Sequence, residues 1–286
     1  MRRIATVGLA AVLAALLTGT ALAAASVNLG TAKSFAVLAG TTITNTGSTT
    51  ITGDVGLHPG AAVTGFADVT LHGTQHLGDA VASGAKDALV GAYNDAAGAT
   101  PVTSVATELG GKTLKPGVYG SATLGLTGTL TLDGGGVYIF QAGSTLITAP
   151  GSSVRLTNGA SACNVYWQVG SSATLDTTTS FKGTILALTS IALQTGATLE
   201  GRALAQNGAV TMDHNIINSS ACAAPSPAPT SGTRPAATQP ATDTVAATPA
   251  AVTDPVPATY LLLLVVATIA FGFAVRFTAL RSRARA

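Results

Sequence analysis

Phe181-Lys-Gly-Thr-Ile-Leu-Ala187 returns eighteen residues later as Leu199-Glu-Gly-Arg-Ala-Leu-Ala205, with Gly183 and Gly201 holding the same place in each copy. Upstream, Gln141-Ala-Gly-Ser-Thr is echoed by Gln168-Val-Gly-Ser-Ser. A short repeat built from strand-forming residues and glycine corners is the pattern of a β-solenoid, in which each repeat lays its strands on those of the previous coil. Equivalent positions then stack about 4.8 Å apart, apolar residues turn inward, and outward residues form flat ladders. An ordinary β-sandwich with chance internal similarity is the competing architecture.

The flanking segments have the same texture. Phe35-Ala-Val-Leu38, Thr41-Thr-Ile-Thr44, Thr49-Thr-Ile-Thr52, Val137-Tyr-Ile-Phe140, Ser172-Ala-Thr-Leu175, Thr184-Ile-Leu-Ala187 and Ala209-Val-Thr-Met212 are short, roughly alternating runs between Gly, Asn, Asp or Ser. One stretch differs. From Leu77 to Ala97 the apolar residues Leu77, Val81, Ala85, Leu89 and Ala92 recur at helical spacing, which predicts a single long helix with Val81, Ala85, Leu89 and Ala92 on its packed face.

The ends describe an exported, anchored chain. Arg2 and Arg3 precede an apolar run and an Ala21-Leu22-Ala23 exit, the organisation of a signal peptide over residues 1–25. Residues 223–257 are mostly Ala, Pro, Thr and Ser and hold 8 of the 12 prolines, a composition that forms a stiff stalk rather than a core. Residues 258–275 are apolar apart from two threonines and predict a single transmembrane helix, with the basic tail 276–286 on the cytoplasmic side. No Leu-Pro-x-Thr-Gly signal precedes that span, so a retained membrane anchor is expected, with residues 26–222 exposed outside the cell. Six of the 14 basic residues lie in the two ends, which leaves eight against all 12 acidic residues between them. No basic stripe remains for nucleic acid. Cys163 and Cys222, an even pair in an exported region, predict a disulfide.

Against this frame a family becomes visible. Leu29-Gly-Thr-Ala-Lys-Ser-Phe-Ala-Val-Leu-Ala-Gly40, Thr44-Asn-Thr-Gly47, Ile51-Thr-Gly-Asp-Val-Gly56, Ala92-Tyr-Asn-Asp-Ala-Ala97, Leu114-Lys-Pro-Gly-Val-Tyr119, Val137-Tyr-Ile-Phe-Gln141 and Gly201-Arg-Ala-Leu-Ala-Gln-Asn-Gly-Ala-Val-Thr211 resemble, in order, the bacterial and fungal β-solenoid ice-binding proteins. The resemblance covers residues 28–217. It implies a mainly β fold: a right-handed solenoid of triangular section with one long helix packed alongside. It also implies a discontinuous chain order, in which the first coil sits beside coils from the C-terminal part.

The resemblance also implies a site. Ice-binding members carry Thr-Ala/Gly-x-Thr/Asn motifs on one flat face, and Thr46-Gly-Ser-Thr49 and Thr195-Gly-Ala-Thr198 match, with Thr177-Thr-Thr-Ser180 one repeat before the latter. Thr46, Thr49, Thr177, Ser180, Thr195 and Thr198 are therefore the candidate ice-contacting residues, and an ice crystal surface the expected partner. Thr127-Gly-Thr129 is a further candidate rung, and Asp213-His-Asn-Ile216 interrupts the ladder in the last coil. Thr and Ser are common on any exposed strand, so a structural or adhesive surface domain for another repetitive ligand is the alternative. Catalysis has little support. His72 and His76 are spaced for a metal on a helix but lack a third ligand, and neither a nucleophile elbow, a paired carboxylate nor a phosphate-binding loop is present. No cofactor or metal is expected.

Overall fold

The computed structural model describes residues 25–222. The expected leader (but for Ala25), the stalk, the membrane span 258–275 and the basic tail lie outside the described residues. No helix among the described residues is long and apolar enough to cross a membrane.

The strands pair in parallel with strands one coil away, which makes the stack a solenoid. Each full coil contributes three strands, as in Val165–Val169, Ala173–Leu175 and the start of Ser180–Ala187. In the repeat at Phe181 and Leu199 the chain runs from one side of the solenoid to the next without breaking its strand. Gly183 and Gly201 make that corner at φ +110° and +147°, and a Cβ on Gly201 would lie 1.9 Å from the Gly183 carbonyl oxygen. Only glycine lets two coils approach that closely there. The eighteen-residue period holds for two steps, Tyr166 to Thr184 to Arg202. Neighbouring steps are longer, 21 residues from Gly117 to Tyr138 and 27 from Tyr138 to Val165, because their corners carry extra turns. Gln141 and Gln168, the echo noted above, do lie in register.

The chain order is discontinuous, as the resemblance implies. Phe35–Ala39 and its coil stack on the last coil, with Val37 beside Ala203, Thr44 beside Thr211 and Thr50 beside Ile216. A second coil, from Asp54–Leu57 to Val69–His72, then ends the stack. From Gln75–Leu77 the helix Ala80–Ala97 leads to Val102–Ser104, the outermost strand at the opposite end, and the chain winds back from there. Eighteen helical residues cover about 27 Å, most of that return.

Inside the solenoid, the rings of Tyr119, Phe140 and Trp167 stack coil on coil with centroids 5.5 and 4.1 Å apart, and Phe181 packs against Trp167 within its own coil at 4.7 Å. The Trp167 indole N–H donates to the Lys182 carbonyl at 2.9 Å, so the largest buried side chain leaves no polar group unpaired. Strands of the first side, such as Phe35–Ala39 and Val165–Val169, are buried on both faces. Their outward residues Leu38, Ile139, Tyr166, Leu186 and Leu204 meet the helix.

The helix begins where the Asp79 carboxylate accepts the Ala82 N–H at 2.8 Å. Its buried face is Ala82, Ala85, Lys86, Leu89, Ala92 and Ala96. This corrects one sequence expectation: Val81 is 52 % exposed. It lies one residue before Ala82, about 100° around the helix, and that rotation carries it off the contact stripe. Lys86, absent from the apolar pattern, is buried instead. Its Nζ donates to the carbonyls of Ala205, at 2.6 Å, and Gln206, and burial pulls its pKa down to about 8. At the other end the Gln141 amide donates to the carbonyls of Ala96, Ala97 and Ala99 and closes the helix C-terminus. Cys163 and Cys222 form the expected disulfide, with Cα atoms 4.9 Å apart.

Leu89→Ala is expected to destabilise the domain by about 2–5 kcal/mol in a denaturant melt, because it opens a cavity under the helix. Val81→Asp, on exposed surface, should shift stability by no more than about 0.5 kcal/mol. A large loss from Val81→Asp would mean that the helix sits rotated from this orientation.

Candidate functional site

The solenoid has three sides, and their outward residues differ in kind. The first is covered by the helix. The third carries charges: Lys182 pairs with Glu200, Lys115 with Asp133, and Arg155 and His72 project from neighbouring strands. A groove of about 520 Å³ on this side is lined by Thr129, Ser153, Val154, Arg155, Leu156, Lys182 and Glu200, with no aromatic ring on which a sugar could stack.

The second side is bare, and its charges stand at the margins: Glu108 beside Gly125 at one end and Asp213 at the end of a strand. Its seven strands run in the order Leu124–Leu126, Leu146–Thr148, Ala173–Leu175, Ile191–Leu193, Val210–Asp213, Thr42–Thr46, Ala62–Thr64. One residue of each strand points out, and successive strands align them in a column: Gly125, Ile147, Thr174, Ala192, Thr211, Thr44, Thr64. Two residues earlier a second column follows, through Thr123, Thr145, Ser172, Ser190, Ala209, Thr42 and Ala62, tied by backbone hydrogen bonds such as Leu124 N–H to Thr145 C=O and Ile191 N–H to Ala209 C=O. Rungs about 4.8 Å apart and columns about 6.6 Å apart make a net roughly 29 Å long. The residues between them, Ile43, Leu124, Leu146, Ala173, Ile191 and Val210, are buried in the core, so the array is held from beneath.

The ice-binding-like family model matches residues 37–218, the whole of this stack but its first few residues and its last turn. The chain belongs to that family. An ice-binding protein of Nostoc sp. (strain HG1) is 51 % identical over 207 residues, covering 70 % of this chain and 76 % of the relative. One from Colwellia sp is 39 % identical, covering 68 % and 83 %. Among solved structures, an ice binding protein from an Antarctic biological consortium is 50 % identical with a TM-score of 0.67, over 68 % of this chain and 91 % of that one. The Shewanella frigidimarina ice-binding protein 1 domain is 32 % identical with a TM-score of 0.65, over 69 % and 98 %.

The family motif residues do not share one surface in this member. Thr46 is the last residue of the bare-side strand Thr42–Thr46, while Thr177 and Thr195 lie in turns between the bare side and the charged side. Ser180 and Thr198 are in register, as the repeat predicts, but point outward on the charged side. Thr49 is 1 % exposed and its hydroxyl accepts the Asn215 N–H, so it cannot touch a ligand. The reason is one residue of register. Thr46 aligns with Asp213 and Thr50 with Ile216, so the turn at Gly47 holds one residue more than its neighbour. In a strand, a one-residue slip reverses every side chain, and Thr50 takes the outward place that the motif spacing gives to Thr49.

Asp213 falls between Thr46 and Thr195 and interrupts that turn column, the break read from the sequence. The Thr195 hydroxyl donates to its carboxylate, and with His214 Nδ1 at 2.6 Å this holds its pKa below the ordinary carboxylate value. The charge therefore persists at neutral pH and marks the edge of the uncharged net. Thr44, Thr64, Thr174 and Thr211, the threonines of the bare side, were missed by the motif reading. Their signal was a threonine between two inward residues, as in Val210-Thr211-Met212. Among the described residues no three His, Cys, Asp or Glu side chains gather as a metal site. His76 Nδ1 lies 2.7 Å from the helix-capping Asp79, and His72 lies beside Thr52 on the charged side.

The register makes a paired prediction. Thr49→Val strands the buried Asn215 N–H and should cost about 1–3 kcal/mol, whereas Thr50→Val should change stability by no more than about 0.5 kcal/mol. Equal costs in chemical denaturation would show that the two residues had exchanged places.

Proposed function

We propose that this domain binds the surface of ice crystals through the bare side, with Thr44, Thr64, Thr174 and Thr211 at its centre. The observation that carries the reading is the uncharged two-column net, seven rungs long, on a side free of the helix and with Glu108 and Asp213 only at its margins. A crystal is a repeating ligand, and a repeating array can meet it with many weak contacts at once. Each threonine presents a hydroxyl that holds ordered water and a methyl group that disfavours bulk-like hydration. Its stiff χ1 and the packed core beneath keep the array arranged before contact, so little entropy is lost on binding. The names of the relatives support the same partner.

The reading from the chain ends extends this proposal: the domain is held outside the cell by the span at 258–275 and presented on the Pro-rich stalk. Held in this way it would fix the cell to ice, or keep ice from the cell surface, rather than act as a released antifreeze. A tag placed at the C-terminus should survive protease treatment of intact cells. Its removal from outside would reverse the orientation.

Ice-affinity capture tests the site. Wild-type residues 26–222 should enter a growing ice layer, and Thr44→Tyr with Thr211→Tyr should be excluded at an unchanged melting temperature, since both side chains point to solvent. The control is Thr195→Tyr with Thr198→Tyr, off the net, which should still enter. Exclusion of the wild type overturns ice binding itself. Capture of the Thr44/Thr211 variant overturns the choice of side.

A further inference from the structure

We propose that the solenoid has a second function, bearing load, and that the Cys163–Cys222 disulfide is the clamp through which a pull on the C-terminal segment enters the body. The inference rests on the proposal that the domain is tethered at its C-terminus while its bare side holds a crystal.

The argument starts from where the chain leaves. Cys222 lies in the short turn Ser220–Cys222, just after the three-residue strand Ile216–Asn218, and 64 further residues follow it in the sequence. That strand is not at an end of the stack. It lies between Thr198–Glu200 and Thr50–Thr52, in the interior of the solenoid. A force on Ser219 would therefore pull first on a very short strand in the middle of the fold. Freeing it would part the last coil from the first and separate Thr211 from Thr44 in the proposed ice net. An end strand would be a safer exit, but the discontinuous chain order places Cys222 here.

The disulfide moves the load elsewhere. Cys163, in the turn Ala162–Asn164, immediately precedes Val165–Val169. This is one of the best-held strands of the fold: it is paired along its length with Tyr138–Ala142 on one side and with Thr184–Ala187 on the other. It is buried throughout, and Trp167 fixes it in the ring stack. Both cysteines follow a strand of the charged side, and Cys163 leads into the helix side. They thus mark the corner that does not border the bare side, and a pull there does not cross the proposed ice contact.

Single-molecule force spectroscopy on the full chain in detergent tests this, with one handle on an azidophenylalanine in place of the exposed Ser144 and the other at the C-terminus. With the bond intact, no early release of the last coil is expected. After reduction of the same molecule with a phosphine, a new first step should appear at lower force, about 6 nm long, as residues 206–222 pull free at ~3.5 Å each. Cys163→Ala with Cys222→Ala should show the same step, and comparison before and after reduction serves if that variant folds poorly. The step appearing with the bond intact, or absent in both states, overturns the clamp. No ice is present in this experiment, so failure of the ice-binding proposal would leave its outcome unchanged.

Discussion

The parallel pairing of Phe35–Ala39 with the strand ending at Ala205 is the contact on which the rest of the structure depends. It joins the first coil to the last, more than 160 residues apart in sequence. Without it the two N-terminal coils would be a separate fragment with an open edge and too little core to stand alone. Both faces of the join are covered: inside by Val37 and Ala203, outside by Leu38 and Leu204 under the helix. Polar groups reinforce it. Arg202, 2 % exposed, donates from Nε to the Lys33 carbonyl, and Lys86 holds the carbonyls that end the same strand. These buried cations bond to backbone oxygens, which relieves part of their desolvation cost and ties the N-terminal segment and the helix to one strand.

That join also makes the bare side continuous. Thr211 and Thr44 are adjacent rungs only because the ends of the domain meet, so the array is complete only when that long-range pairing is made. The same winding explains why this side is free. The helix must return the chain from one end of the stack to the other, and it lies where the outward strand residues are apolar. The remaining sides alternate inward apolar with outward polar residues and need no cover. Of these two, only one carries an uncharged array across seven strands, with Glu108 and Asp213 at its margins.

Much was legible in the residues. The repeat around Gly183 and Gly201 carries the coil, the small-residue stripe carries the helix, and the two cysteines carry the disulfide. The less legible features share one cause: they depend on phase. Val81 fits a three- and four-residue pattern as well as Ala82 does, and only the solenoid surface decides which is turned inward. Thr46-Gly-Ser-Thr49 fits a motif, but the extra residue in its turn buries Thr49 and exposes Thr50 to the outward rung. Lys86 reads as a surface residue until the carbonyls of Ala205 and Gln206 come within its reach.

By itself, then, the sequence determined the kind of structure, because glycine corners and alternating β-branched residues permit few architectures. It also determined the chemistry available on the outward strand positions, chiefly threonine, serine and alanine. The tertiary structure decided which of those threonines act together. Lateral order across coils depends on the length of every corner and on the meeting of the two chain ends. Neither is encoded within any one strand, so Thr44 and Thr211 became neighbours only in the folded chain.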